Sequence, residues 1–193
     1  MYNYKTEPFK HQRQALREGA KDYNFAYFME MGTGKTKVAI DNAAYLFQDK
    51  RIDFAFVIAP NSVYRNWLKE IETHCPEECN IFIWKVTKEK KFRLDPSKLT
   101  FILMNVEALS HDSGKKWLEQ KLMKHGMRSM IIVDESTTIK NLKASRTKTI
   151  VKLGQLARYK RILTGSPVTK SPLDLFSQCA FLDKKLLGYD NFT

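Results

Sequence analysis

Acidic residues are in short supply in this chain of 193: 21 Asp and Glu stand against 33 Lys and Arg, a formal net charge of +12. Such an excess favours polyanionic partners, because bound phosphates release condensed counterions, and nucleic acid is the leading candidate. Lysines that merely solvate the surface give the same balance, so motifs must decide. Cysteine is scarce too, with three residues at Cys75, Cys79 and Cys179. That odd number, behind a start of Met1-Tyr2-Asn3-Tyr4 with no basic-then-apolar leader, argues against a secreted disulfide scaffold and for a reducing, intracellular setting. His74, Cys75 and Cys79 lie close together, but no second pair at zinc-finger spacing follows, which leaves them as ordinary loop residues. No apolar run approaches the ~18 residues that a membrane-spanning helix needs. At 43% hydrophobic and 12% aromatic, the chain is too apolar to be disordered and has length for one packed core.

What is present is an alternation. Short apolar runs rich in β-branched and aromatic residues at 25–29, 54–59, 81–86, 101–104, 130–133 and 161–163 predict buried strands. Between them, apolar residues at helical spacing predict helices over 36–47, 62–74, 115–125, 144–156 and 172–181. Near-continuous apolar strands separated by helices imply an α/β domain, a mostly parallel sheet with helices on both faces. The aromatics Tyr23, Phe25, Tyr27, Phe28 and Trp84 fall in strand patterns and are expected in the core, and Met123, Met127 and Met130 are expected to fill packing gaps. The lysine-rich stretch 85–98 reads as an exposed excursion. The basic series Lys140, Lys143, Arg146, Lys148 and Lys152 fits a phosphate-backbone surface or a solvated face equally well.

The strongest local signal is Gly32-Thr33-Gly34-Lys35-Thr36, after an apolar run and before a helical one. That strand, loop and helix context is what a phosphate loop requires: glycines turn backbone N–H groups inward, and the helix start adds positive partial charge. Lys35 is then expected to reach the β- and γ-phosphates of ATP and Thr36 to ligate Mg²⁺. The usual first glycine of the pattern is Met29 here. The other half of such a site is a carboxylate at the end of a second apolar strand, and Ser129-Met130-Ile131-Ile132-Val133-Asp134-Glu135 supplies it. Asp134 is expected to hold Mg²⁺ through water, and Glu135 to act as general base.

These blocks, in this order, resemble the first RecA-like ATPase lobe of superfamily 2 helicases and translocases, most closely the Swi/Snf-type DNA translocases. Phe9-Lys10-His11-Gln12 resembles the adenine-reading segment, with Gln12 at the base-contacting position. Residues 31–36 resemble motif I, and residues 57–67, with a Trp followed by Glu70, motif Ia. The stretch 101–109 is similar to the next motif, 134–141 to motif II with an Ile-Lys-Asn tail, and 161–167 to motif III. The resemblance implies that Gln12, Gly32, Thr33, Gly34, Lys35 and Thr36 bind ATP. It further implies that Pro60, Asn61, Ser62, Asn105 and Glu107 meet the nucleic-acid backbone, and that Thr164, Gly165 and Ser166 couple the two sites. The Ala-His that usually follows motif II's Asp-Glu is Ser136-Thr137 here, so the family's link from that histidine to motif III must be made differently.

The implied domain is a helicase ATP-binding lobe over 1–193 whose Swi/Snf-like second RecA-like lobe, with its arginine finger, has no counterpart in the sequence. The chain is expected to be part of a longer protein and to hydrolyse ATP very slowly alone. Expected partners are duplex or branched DNA and the second lobe, with no membrane. The undecorated core resembles bacterial or viral members, implying a cytoplasmic setting in a bacterium or a virus-infected cell and a role in DNA repair or recombination. Two alternatives stay open: a nucleotide-gated nucleic-acid-binding module without hydrolysis, and another P-loop nucleotidase or kinase.

Overall fold

Strand and helix alternate in the computed structural model, which describes residues 2–87, 92, 95, 97–141, 143–169 and 171–188. The chain order is α1 (Lys10–Gly19), β1 (Asn24–Phe28), α2 (Lys35–Gln48), β2 (Phe54–Ala59), α3 (Tyr64–His74), β3 (Cys79–Ile83), β4 (Leu99–Asn105), α4 (Asp112–His125), β5 (Ser129–Asp134), α5 (Ser145–Gly154), β6 (Tyr159–Thr164) and α6 (Asp174–Leu182). All described pairings are parallel, and the six strands lie in the order β1-β6-β5-β2-β4-β3.

The pleat sends successive residues of β2 to opposite faces. Ala55, Val57 and Ala59 join the core under α1, α2 and α3, whereas Phe54, Phe56 and Ile58 join the one under α4, α5 and α6. Small residues on one face and aromatic ones on the other let α2, rich in Ala39, Ala43 and Ala44, lie close against the sheet. Connections stepping from β1 toward β3, through α2 and α3, run over one face. Those stepping back, through α4 and α5, run over the other, as a single crossover hand requires. The first step therefore leaves room for β6 and β5 beside β1, and the chain segments after β1 and β6 diverge to opposite faces. Such a divergence opens a crevice at the carboxyl ends of the strands.

The expected strands and helices are present with shifted ends, and the differences have physical reasons. Helix α1 was not expected, because its sequence, KHQRQALREG, offers only Ala15 and Leu16 as apolar residues. Strand β3 begins at Cys79 and ends at Ile83, earlier than the apolar run suggests, and it and β1 are less buried than the central strands because each has one described neighbour. Two expectations about core residues fail. Tyr23 is 53% and Phe28 47% exposed, at the start and the outward end of the edge strand β1, while Phe25 is half-buried and Tyr27 and Trp84 are buried. Met123 and Met127, at the end of α4 and in the turn after it, are exposed, and only Met130 packs inside. The stretch 85–98 lies partly outside the described residues.

A buried arginine and a buried ion pair hold the layers together. Arg161 of β6 is fully buried and donates to the Asn42 side chain (2.7 Å) and to the carbonyls of Gly19 (3.0 Å), Asp22 (2.8 Å), Tyr23 (3.2 Å) and Lys160 (2.8 Å). It thereby bolts the end of α1 and the start of β1 to α2. Lys37 and Asp41 form a buried pair at 2.8 Å within α2, and Tyr2 donates to the same carboxylate at 2.9 Å, fastening the chain start over that helix.

Candidate active site

The loop between β1 and α2 is shaped by two glycines in the left-handed region, Gly32 (φ +80°) and Gly34 (φ +83°), a conformation that other residues adopt at a cost. Gly34 is also the N-cap of the 14-residue α2, so the helix's free N–H groups and positive end face the loop. A Cβ on Gly34 would collide with the Gln12 amide, whereas one on Gly32 would meet nothing within 4 Å. Gly34 is thus favoured by its φ, a side chain there would also displace the Gln12 amide from its contacts, and beyond Gly32 there is open space. Lys35 donates to the Glu30 carbonyl at 3.0 Å and lines the cleft above the loop.

Gln12, buried in the first turn of α1, uses both ends of its amide. Its Oε1 accepts from Phe9 N at 3.0 Å and its Nε2 donates to the Thr33 carbonyl at 2.9 Å. His11 Nε2 lies 3.0 Å from that carbonyl as well. The segment 9–12 therefore braces the loop from outside, beside a shallow cleft of about 320 Å³ lined by His11, Met29 and Thr33.

Strand β5 delivers Asp134 and Glu135 to the same end of the sheet. Asp134 is 4% exposed, accepting from the Trp67 indole N–H at 2.7 Å and from Glu135 N at 2.8 Å. Burial pushes the Asp134 carboxyl up from its ordinary range, against the pull of the Trp67 hydrogen bond, the Glu135 amide and the Lys35 charge. Glu135 is raised as well, by burial and then by the Asp134 charge. Its backbone is left-handed at φ +47°, an uncommon state for a residue with a side chain and one that concentrates at functional sites. Among the described residues no three His, Cys, Asp or Glu gather. A divalent cation here would draw on Thr36, Asp134, nucleotide oxygens and water, which suits Mg²⁺, an ion that keeps several of its waters. A buried carboxylate with a raised pKa is stabilised by such a charge.

Strand β6, lying between β1 and β5, closes the cleft with Thr164, Gly165 and Ser166. Met29 N donates to the Thr164 carbonyl at 3.2 Å, and a Cβ on Gly165 would sit 3.1 Å from Met31 N, so this loop lies directly against the phosphate loop. Ser166 N donates to Thr164 Oγ1 at 3.2 Å. The resulting cleft has a volume of about 420 Å³, with Lys35, Glu135, Thr164, Gly165 and Ser166 on its walls. Trp67 and Gln178, which accepts from Ser136 Oγ at 2.5 Å, were not assigned roles from the sequence. For Trp67 the signal was its position within the motif Ia block.

A second cleft, of about 330 Å³, opens at the carboxyl ends of β2, β4 and β3 and brings together Asn61, Tyr64, Asn105 and Glu107. Asn61 and Ser62 are exposed in the turn before α3, and Pro60 is half-buried. Asn105 Oδ1 caps the following 3-10 turn by accepting from Glu107 N at 3.0 Å, and Glu107 is paired with Arg146 of α5 at 2.6 Å. Of the basic series around α5, Arg146, Lys152 (to Glu119, 3.1 Å) and Lys140 (to Thr169, 2.6 Å) have partners within the domain. That favours a structural use of those three.

A parallel sheet with a glycine-bearing strand–loop–helix, an acidic strand end and a third loop closing between them defines a RecA-like nucleotide-binding domain. Residues 23–192 match the SNF2-related domain model, and the chain belongs to that family. It is 32% identical over 163 residues to a SWI/SNF-related matrix-associated actin-dependent regulator of chromatin subfamily A-like protein 1 homolog of Caenorhabditis elegans, covering 84% of this chain and 22% of the relative. It is 31% identical over 154 residues to the ISWI chromatin-remodeling complex ATPase ISW1 of Saccharomyces cerevisiae, covering 79% and 13%. Among solved structures it is similar to the Sulfolobus solfataricus SWI2/SNF2 ATPase core in complex with dsDNA, with TM-score 0.81 and 24% identity over 98% of this chain and 38% of that one. The chain thus spans about a fifth or less of these curated relatives' length. They are eukaryotic and the structural neighbour is archaeal, so the expectation of a bacterial or viral source and of a repair role finds no support among them. No helix among the described residues is long and apolar enough to cross a membrane.

Proposed function

We propose that this domain is the ATP-binding lobe of a DNA translocase or helicase, an ATP hydrolase that couples hydrolysis to movement along DNA. The observation that carries the reading is the convergence of Lys35, Glu135 and Thr164–Ser166 on one cleft at the ends of β1, β5 and β6. In this reading the Gly32–Gly34 backbone and the α2 N-terminus cradle the phosphates, with Thr33 beside them, and Lys35 binds the β- and γ-phosphates. Gln12 reads adenine with the one amide hydrogen and the Oε1 lone pair left over from its contacts to the Thr33 carbonyl and Phe9 N. Thr36 and Asp134 hold Mg²⁺, which when bound neutralises phosphate charge. Glu135 takes the proton of the water that attacks the γ-phosphorus as the bond to ADP breaks, and its raised pKa brings a general base nearer to neutrality.

DNA as the track is supported by the +12 charge, by the chromatin-associated relatives and by the dsDNA-bound structural neighbour. Pro60, Asn61, Ser62 and Asn105, with Glu107 held back by Arg146, form the proposed backbone-contacting edge, and Thr164, Gly165 and Ser166 pass the nucleotide's state to it. A second RecA-like lobe of the same full-length protein completes the motor, in keeping with the small share of the relatives that this chain covers. An intracellular setting follows from a DNA substrate. The test is steady-state ATP turnover at low salt, with and without duplex DNA, beside Lys35→Ala. Slow turnover that is lost in Lys35→Ala and rises sharply in the full-length protein with DNA is expected. ATP binding without turnover even there would contradict the motor and leave a nucleotide-gated binding module.

A further inference from the structure

Ser136 follows the two acidic residues directly, and its hydroxyl does not face the nucleotide cleft but is fully buried, donating to Gln178 Oε1 at 2.5 Å. Gln178, also fully buried, has two amide hydrogens left and uses both, on the Pro167 carbonyl at 2.8 Å and on the Asp174 carbonyl of its own helix at 2.8 Å. One side chain on α6 therefore holds the residue after Glu135 at one end and the residue after Ser166 at the other. Both neighbours, Glu135 and Ser166, line the cleft. We propose that Gln178 is a positioning residue that makes the Asp134–Ser136 segment and the Thr164–Pro167 loop respond to the nucleotide as one unit. The inference rests on the proposed nucleotide site only for what sets the relay in motion.

Two further features fit a coupling element better than a static brace. A second clamp runs alongside: Lys140 Nζ donates to Thr169 Oγ1 (2.6 Å), and Thr169 donates from N (2.9 Å) and Oγ1 (2.8 Å) to Asp174 Oδ2, with Thr169 again on the cleft wall. In addition, the hydroxyls of Thr138, Thr147 and Ser177, from the turn after Glu135, from α5 and from α6, are buried without a hydrogen-bond partner among the described residues, and these three elements pack on one another. Buried orphan hydroxyls are costly in a finished core. At a seam that shifts, they provide the donors and acceptors for a second arrangement, so the turn can move against α6 without stranding additional polar groups. The family's histidine has its place taken by Thr137 here, which implies a link made differently, and the contact of Ser136 with Gln178 supplies one.

Amide hydrogen exchange, read in the nucleotide-free chain and again with Mg-ATP, tests the relay in Ser136→Ala, Gln178→Leu, the double variant and Ser136→Thr. Without nucleotide, each of the first two is expected to speed exchange over 164–169 by about fivefold, the factor for one buried hydrogen bond, and to leave 32–36 unchanged. The double variant should be no faster than Gln178→Leu, because the two act as a unit, and Ser136→Thr should restore protection. Mg-ATP should protect both 32–36 and 164–169 in the natural chain but only 32–36 in Ser136→Ala. Unchanged exchange over 164–169, additive effects, or equal ATP protection of that loop in Ser136→Ala would overturn the relay. If 32–36 in the natural chain does not respond to Mg-ATP, the proposed nucleotide site fails instead, while the nucleotide-free comparison still decides on Gln178.

Discussion

Trp67 has one polar atom and uses it on Asp134. The indole sits on the first full turn of α3, just after the exposed Asn61-Ser62 turn, and holds a carboxylate on another strand at 2.7 Å. Trp67→Phe keeps most of the packing and leaves Asp134 Oδ2 short of a donor. The variant is expected to lose about 1.5–3 kcal/mol of stability, the usual worth of a hydrogen bond to a charged group, and its Mg²⁺-dependent nucleotide affinity should fall; chemical denaturation and a titration at two Mg²⁺ concentrations check both. For Glu135 the sign runs the other way. A carboxyl raised in the folded state, by burial first and by Asp134 second, destabilises the fold wherever it is ionised. Glu135→Gln is therefore expected to melt higher than the natural chain at pH 7.5, with the gap closing as the pH falls toward 4.5, the ordinary value from which the carboxyl is raised. A gap that widened on acidification would show that the carboxylate is stabilised, not penalised, by its surroundings.

Among the elements, β6 does more than carry one side of the cleft, because Arg161 ties it to the end of α1, the segment leading into β1, and α2 through four hydrogen bonds, with a fifth to its own strand. An ammonium offers three donors on a flexible stem and cannot reproduce that planar fork. Arg161→Lys is predicted to cost about 2–4 kcal/mol, by counting two or more lost hydrogen bonds of a charged donor, and denaturant unfolding measures it. Nothing in the linear sequence marks this residue, since three of its partners are backbone carbonyls 138 to 142 positions away and a fourth is the Asn42 side chain 119 away. The same reason separates what was legible from what was not. Strand and helix alternation was readable because β2 and β5 are buried on both faces and read as unbroken apolar runs. Helix α1 was not, because it presents only a narrow apolar stripe to its neighbours and is held by Gln12 and its capping contacts. The phosphate loop and the Asp134–Glu135 pair were legible as residue types at a strand end. Trp67 and Gln178 were not, because their roles depend on partners 67 and 42 residues distant.

At the scale of the molecule, the sheet order turns scattered motifs into a site. Placing β6 between β1 and β5 brings Lys35, Thr164 and Glu135 to one crevice, and placing β2 beside β5 sets the Asn61 turn next to the strand that carries Asp134. The proposed nucleotide cleft and the proposed DNA-contacting edge thus lie along the same end of the sheet, so that one ligand can bias the other's site. If DNA is held by its backbone, the logarithm of affinity should fall linearly with the logarithm of salt, and a variant that lost a base contact alone would not change that slope. Binding that is indifferent to salt between 50 and 200 mM, the range over which such contacts lose most of their affinity, would place the +12 charge elsewhere than on the track. The most direct measurement of the central claim is an equilibrium titration of the chain with Mg-ATP, beside Lys35→Ala. Saturable binding by the natural chain, weakened at least tenfold in a folded Lys35→Ala, is the predicted result. Equal affinity in the two, or none in the natural chain, would mean that the cleft between β1, β6 and β5 is not a phosphate site.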